Sequence, residues 1–95
     1  MGDYTGKGPA SIECLLLLFC YKVKFKNNFF LLRGCYESLA LARSYNLYQE
    51  CQNRFSSKAW TEACEALCSL PYAAVISEQI FCVHGGISPS LEFVE

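Results

Sequence analysis

Phe29-Phe30-Leu31-Leu32 is an unbroken apolar run between Asn27-Asn28 and Arg33-Gly34. Successive strand residues point to opposite faces, so a strand that is apolar at every position needs cover on both sides. The run predicts a short strand buried on both faces of a parallel or mixed sheet. Around it the periodicity is helical. Ile12, Leu15, Leu16, Phe19 and Val23 repeat at helical spacing after Ser11, whose hydroxyl is placed to cap a first turn. Leu17, Leu18 and Cys20 fill the other side, which predicts a helix buried on more than one face and ended by Asn27-Asn28. Segment 38–53 reads as a second helix, with Leu39, Ala42, Tyr45 and Tyr48 along one side. Lys58 to Leu70 reads as a third, with Trp60, Ala63, Cys64, Leu67 and Cys68 in phase before Pro71 stops it. Ala73 to Ile76 and Ile80 to Val83 read as two short strands around Ser77-Glu78-Gln79. Helices interleaved with strands place the chain in the α/β class.

At 95 residues, 53% hydrophobic and 18% charged, the chain has enough apolar material for one core and too little charge for disorder. Eight basic against nine acidic side chains leave a formal charge of −1, which offers no electrostatic footprint for nucleic acid or an anionic membrane. The longest apolar stretch, Cys14 to Tyr21, falls well short of the roughly 20 residues that a spanning helix needs. It also starts too late, and without the flank, for a secretory signal. The expectation is a cytoplasmic or nuclear protein, not a secreted one.

The seven cysteines are odd in number and include no C-x-x-C pair. Cys14, Cys20, Cys35, Cys51, Cys64, Cys68 and Cys82 fall in segments that read as helix or strand, whereas disulfide frameworks are loop-rich and exported. They read as small core hydrophobes in a reducing compartment. A cysteine-based metal module is a competing reading supported by the count alone, because the spacing lacks zinc knuckles.

Three glycine-bearing loops lie at element ends, where backbone can approach a ligand closely. They are Gly2-Asp3-Tyr4-Thr5-Gly6-Lys7-Gly8, Arg33-Gly34-Cys35-Tyr36-Glu37 and His84-Gly85-Gly86. The first is not a phosphate loop of the Walker type. Met1 stands where its leading glycine belongs and Gly8 where its Ser or Thr belongs. Arg33 can clamp an oxyanion through its planar fork, or pair with Glu37 or a helix carboxyl end. His84, the only histidine, can ligate a metal through a neutral ring nitrogen or simply hydrogen-bond at a strand end. Asp3 is the only aspartate.

Together, in order and spacing, these loops resemble the central portion of the phosphoprotein phosphatase family of serine/threonine protein phosphatases. The family's pattern runs Gly-Asp-x-Val-Asp-Arg-Gly, then Leu-Arg-Gly-Asn-His-Glu, then His-Gly-Gly. Tyr45-Asn46-Leu47-Tyr48-Gln49-Glu50-Cys51 is similar to the family's Tyr-Gly-Phe-Tyr-Asp-Glu-Cys. The segments Asn28 to Gly34 and Ile80 to Cys82 look closest to its protein phosphatase 1 branch. The resemblance covers essentially the whole chain. It implies an α/β fold, a partial calcineurin-like metallophosphatase αββα sandwich of which residues 1–95 are the central segment, as a single partial domain lacking its N-terminal and C-terminal portions. It also implies two divalent metal ions (manganese, iron or zinc) that activate a water for attack on a phosphomonoester, with phosphoproteins or phosphatase regulatory subunits as partners, and neither nucleic acid nor membrane.

Carried over residue by residue, the resemblance makes Asp3 the carboxylate that bridges the metals and His84 a ligand of one of them. Arg33 belongs to the phosphate-binding set, and Lys7 replaces a second arginine, keeping charge but losing the bidentate fork. Cys35 stands where an asparagine oxygen ligates, offering a softer donor. Tyr36 stands where the family has the histidine that protonates the leaving alkoxide. A phenol, ordinarily titrating at about 10, donates a proton near neutrality less readily than imidazole at about 6.5. Gly6 replaces the aspartate that orients that histidine. No catalytic set is intact, so the expectation is a phosphatase-like protein with impaired hydrolysis. Its alternatives are an active fragment of a longer product, or a module that binds a phosphoprotein or regulatory partner without catalysis.

Overall fold

The computed structural model describes residues 1–93. An irregular loop over residues 1–10 leads into α1 (Ser11–Lys24). An extended segment then reaches a short 3-10 turn (Cys35–Glu37), followed by α2 (Leu39–Ser44), α3 (Asn46–Arg54) and α4 (Ser57–Cys68). The hairpin β1 (Ala73–Ile76) and β2 (Ile80–Val83) follows.

The helices converge on one apolar cluster. Ile12 and Leu15 of α1 meet Ala42 of α2, Leu47 and Cys51 of α3 and Leu67 of α4, with Phe19, Trp60, Ala63 and Leu70 packed around them. In α1, α3 and α4 the set repeats at three or four residues, so each of these helices turns one stripe inward. Ser56 caps α4 by accepting from the Ala59 amide at 3.3 Å. At α1 the cap is tertiary. Glu50 of α3 accepts from the Ser11 amide at 3.1 Å and the Ile12 amide at 3.0 Å, putting a carboxylate on the positive pole of the helix. Ser11, expected as the cap, lies inside the first turn, and its hydroxyl accepts from the Gly6 amide at 3.2 Å. At the other end Lys22 donates to the carbonyls of Lys26 and Phe29 at 2.9 and 2.7 Å, closing the turn after α1.

The hairpin has the expected bounds and pairs antiparallel, Ala73 with Val83 through Ile76 with Ile80. Ser77 and Glu78 turn it with φ of 51° and 58°, the left-handed conformation that right-twisted hairpins favour, here without glycine. Its base is half-buried, while Val75, Ile76, Ile80 and Phe81 at the tip are exposed.

Four expectations are corrected. Phe29–Leu32 is extended but belongs to no sheet among the described residues. Leu31 and Leu32 are buried at 5% exposure, yet Phe30 is 71% exposed, so only one side of the run has cover. In place of a ladder, the Leu32 amide donates to the Tyr4 hydroxyl at 3.2 Å and the Arg33 amide to the Pro71 carbonyl at 2.8 Å. The outer face of α1 is likewise bare, with Leu16, Leu17 and Val23 exposed. The helix expected over 38–53 breaks at Tyr45, whose backbone is extended (φ −112°, ψ −167°). Its ring meets Tyr36 edge-on at 4.9 Å, and Asn46 reaches the Gly8 carbonyl at 2.7 Å, so contacts to the second and first loops turn the chain there. Finally, the cysteines are not core residues as a group: Cys51 is buried, Cys64 and Cys82 are intermediate, and Cys14, Cys20, Cys35 and Cys68 are exposed. No described helix is long and apolar enough to cross a membrane.

Candidate metal and phosphate site

The site is assembled where the first two loops press together. Gly2 and Asp3 take positive φ, 102° and 58°, which bends the chain sharply against Gly34. A Cβ on Gly2 would stand 2.5 Å from the Gly34 Cα and amide nitrogen, and one on Gly34 would strike Asp3 and Glu37. Backbone-to-backbone approach of this kind requires glycine on both sides.

Glu37 holds the contact. It is fully buried, and its two carboxylate oxygens accept from the amides of Asp3 (2.7 Å), Gly34 (2.8 Å), Tyr4 (2.9 Å) and Thr5 (3.3 Å), and from the Thr5 hydroxyl (3.3 Å). A buried carboxylate is stable only when donors replace its water, and these do so completely. The sequence offers Arg33 either the Glu37 carboxylate or a helix carboxyl end as its partner, and the second is what the structure shows, at the end of the 3-10 turn. Arg33 donates from Nε to the backbone carbonyl of Glu37, at 3.2 Å.

Asp3 is thereby aimed at the loop after β2. Its Oδ1 accepts from the Tyr36 amide at 2.9 Å, and its Oδ2 lies 3.1 Å from His84 Nε2. The other ring nitrogen, Nδ1, is 2.8 Å from the Met1 carbonyl, an acceptor, so Nδ1 carries a proton, and Nε2 faces the carboxylate either as the second N–H of an imidazolium or as a lone pair. A lone pair and a carboxylate oxygen facing each other need a proton or a cation between them. Cys35, at the start of the 3-10 turn, completes the group: one ligand atom each from Asp3, Cys35 and His84 lies within 4.8 Å of the others. Carboxylate, thiolate and imidazole are together a divalent-cation donor set, so the residues fit a metal.

The phosphate-binding candidates are not brought together. Arg33 lines an open cleft of about 380 Å³ that it shares with Cys35, Tyr72 and His84. Its guanidinium is held by the Tyr72 hydroxyl at 2.8 Å and the Cys68 sulfur at 3.5 Å, and stacks over the Tyr72 ring. Lys7 lies instead over the Tyr36 ring, 5.5 Å from its centroid, and the hydrogen bond with the Tyr36 hydroxyl pushes the ammonium's pKa up. Tyr36 fills the space that the missing Gly6 side chain leaves: a Cβ on Gly6, which has φ of 100°, would collide with the ring. Sequence reasoning also missed Tyr72, since nothing local marks a residue 39 positions away as the support of Arg33. Glu37 was legible as part of the second motif, but its role was not.

A family model described as calcineurin-like phosphoesterase matches residues 1–95. The solved structure of a protein serine/threonine phosphatase from Saccharomyces cerevisiae, with similarity to human phosphatase PP5, superposes on 95% of this chain with a TM-score of 0.88 and 35% sequence identity. The chain spans 29% of the length of that protein. The mixed helix and strand arrangement is thus a partial calcineurin-like fold, and the family is one that uses divalent metal. The chain belongs to the calcineurin-like phosphoesterases, within their phosphoprotein phosphatase group.

Proposed function

We propose that this chain is a serine/threonine phosphatase-like protein that retains a cleft for a phosphorylated protein segment and has lost most of its hydrolytic power. One observation carries the reading. At the position of the proton donor stands Tyr36, packed edge-on against Tyr45 and onto Gly6, with Lys7 over its ring. Among the described residues no carboxylate orients its hydroxyl, which is engaged by the Lys7 ammonium instead. Losing one general acid lowers a rate by about 10²–10⁴.

In the family, two divalent ions supply the nucleophile and clamp the reacting oxygens. Here Asp3 and His84 are the residues that would hold metal, with Cys35 beside them. Arg33, fixed by Tyr72 and Cys68, would orient a phosphate oxygen in the cleft. The ligand proposed is phosphoserine or phosphothreonine in a protein, met in the cytoplasm or nucleus, with regulatory subunits of phosphatases as further partners.

The test is an assay of the purified chain with manganese on p-nitrophenyl phosphate and on phosphopeptides. The expected result is no turnover above buffer, with phosphopeptide binding that weakens in Arg33→Ala. Turnover that disappears in Asp3→Ala would overturn the loss of catalysis. Tyr36→His is the first repair to attempt, because Gly6→Asp places a Cβ against the present ring.

A further inference from the structure

We infer that Asp3, Cys35 and His84 form a site for one thiophilic divalent cation, zinc in preference to manganese, in place of a pair of hard ions. The inference rests on the family reading above and adds the identity and number of the ions. Three features support it.

The first is the donor set. Only one described cluster brings three such groups within 4.8 Å, and it supplies one oxygen, one sulfur and one nitrogen. Manganese favours oxygen donors and octahedral surroundings, whereas a thiolate with imidazole and carboxylate suits a tetrahedral zinc. Atoms bonded to one zinc at about 2.0–2.3 Å stand about 3.3–3.8 Å apart, so a gathering within 4.8 Å closes by rotation of the exposed Cys35 side chain.

The second is orientation. The Met1 carbonyl takes the Nδ1 proton of His84, and the Tyr36 amide takes Oδ1 of Asp3. Nε2 and Oδ2 are thereby turned toward each other, 3.1 Å apart beside Cys35, as the two atoms that a cation binding between them would take. Partners behind a ligand that fix its tautomer and direction are what metal sites have.

The third is what surrounds the cluster. Glu37, the nearest other carboxylate, is saturated by five donors and turned inward, so it has no lone pair to spare for a second ion.

The test uses the full chain, freed of metal under reducing conditions, and titrates zinc, manganese and cobalt separately. The expected result is one equivalent of zinc bound at least about 100-fold more tightly than manganese. Cobalt should show a thiolate-to-metal charge-transfer band that is lost in Cys35→Ser. Cys35→Asn should lower zinc affinity at least about 10-fold without lowering that for manganese. Cys35 is exposed, and unchanged circular dichroism of both variants checks that the fold is kept. Three results would each overturn the inference: a band that persists in Cys35→Ser, two equivalents per chain, or manganese bound as tightly as zinc. Turnover of p-nitrophenyl phosphate in the same samples reads the phosphatase proposal separately, since hydrolysis would refute the loss of catalysis whatever the cobalt spectrum shows.

Discussion

Glu37 carries five hydrogen bonds on two oxygens and joins two loops that are more than thirty residues apart in the chain. Gln at this position keeps the shape but turns an amino group toward amide donors. Glu37→Gln is therefore expected to destabilise the fold by about 3 kcal/mol, read as a lower urea midpoint, and to release Asp3 from His84. Gly34→Ala is expected to act in the same direction, because its Cβ would collide with Asp3. The thiols give a pH dependence. Burial pushes Cys51 and Cys64 above their ordinary value of about 9. As pH rises through that value, these thiols ionise in the unfolded chain while the folded ones stay neutral. Their contribution is therefore full below about pH 9 and is lost as pH climbs. Urea midpoints measured from neutral pH to about 10 should fall less steeply in Cys51→Ala/Cys64→Ala than in the parent.

Among the elements, α1 depends most on its surroundings. Glu50 from α3 caps its amino end and also lies 3.8 Å from Arg54, which pairs with Glu13 of α1. Glu50→Ala should cost about 1–2 kcal/mol and speed hydrogen exchange at the Ser11 and Ile12 amides before any others in α1. The helices and the hairpin were legible because each has its own period: Trp60, Ala63 and Leu67 repeat at helical spacing, and β1 and β2 have the bounds their apolar runs suggested. The extended run Phe29–Leu32 was misread for a physical reason. Its composition states a need for cover on both faces, while a strand exists only where another strand supplies the ladder. The break at Tyr45 was equally invisible, since Tyr36 and Gly8 cause it from a distance.

At the scale of the molecule, apolar surface is the unsolved term. The accessible surface is 6803 Å², against about 5,500 Å² for a compact monomer of 10.7 kDa. The radius of gyration is 14.4 Å, against about 12 Å. Leu16, Leu17 and Val23 of α1, Phe30, and Val75, Ile76, Ile80 and Phe81 at the hairpin tip are exposed apolar side chains. Exposed apolar faces of this kind, beside an unpaired sheet edge, drive association. Sedimentation should show self-association at micromolar concentration that Leu17→Lys with Val23→Lys reduces, with helix content unchanged by circular dichroism. Thiol labelling of the native chain should modify Cys14, Cys20, Cys35 and Cys68 promptly and Cys51 only on unfolding.

The amino-acid order alone determined which segments turn helical and where the hairpin forms, because those signals lie within a few residues of each other, though it did not determine the break between α2 and α3. It also determined which chemistry is present, because Asp3, Arg33, Cys35 and His84 stand in motifs whose spacing can be read along the chain. Only the tertiary structure decided which of them meet. Asp3 and His84 are joined across eighty residues by a loop pressed on Gly34 and held by a buried Glu37, while Lys7 is drawn away to Tyr36. Contacts of that range depend on how backbone groups find partners once the chain has closed on itself, and no local pattern encodes them.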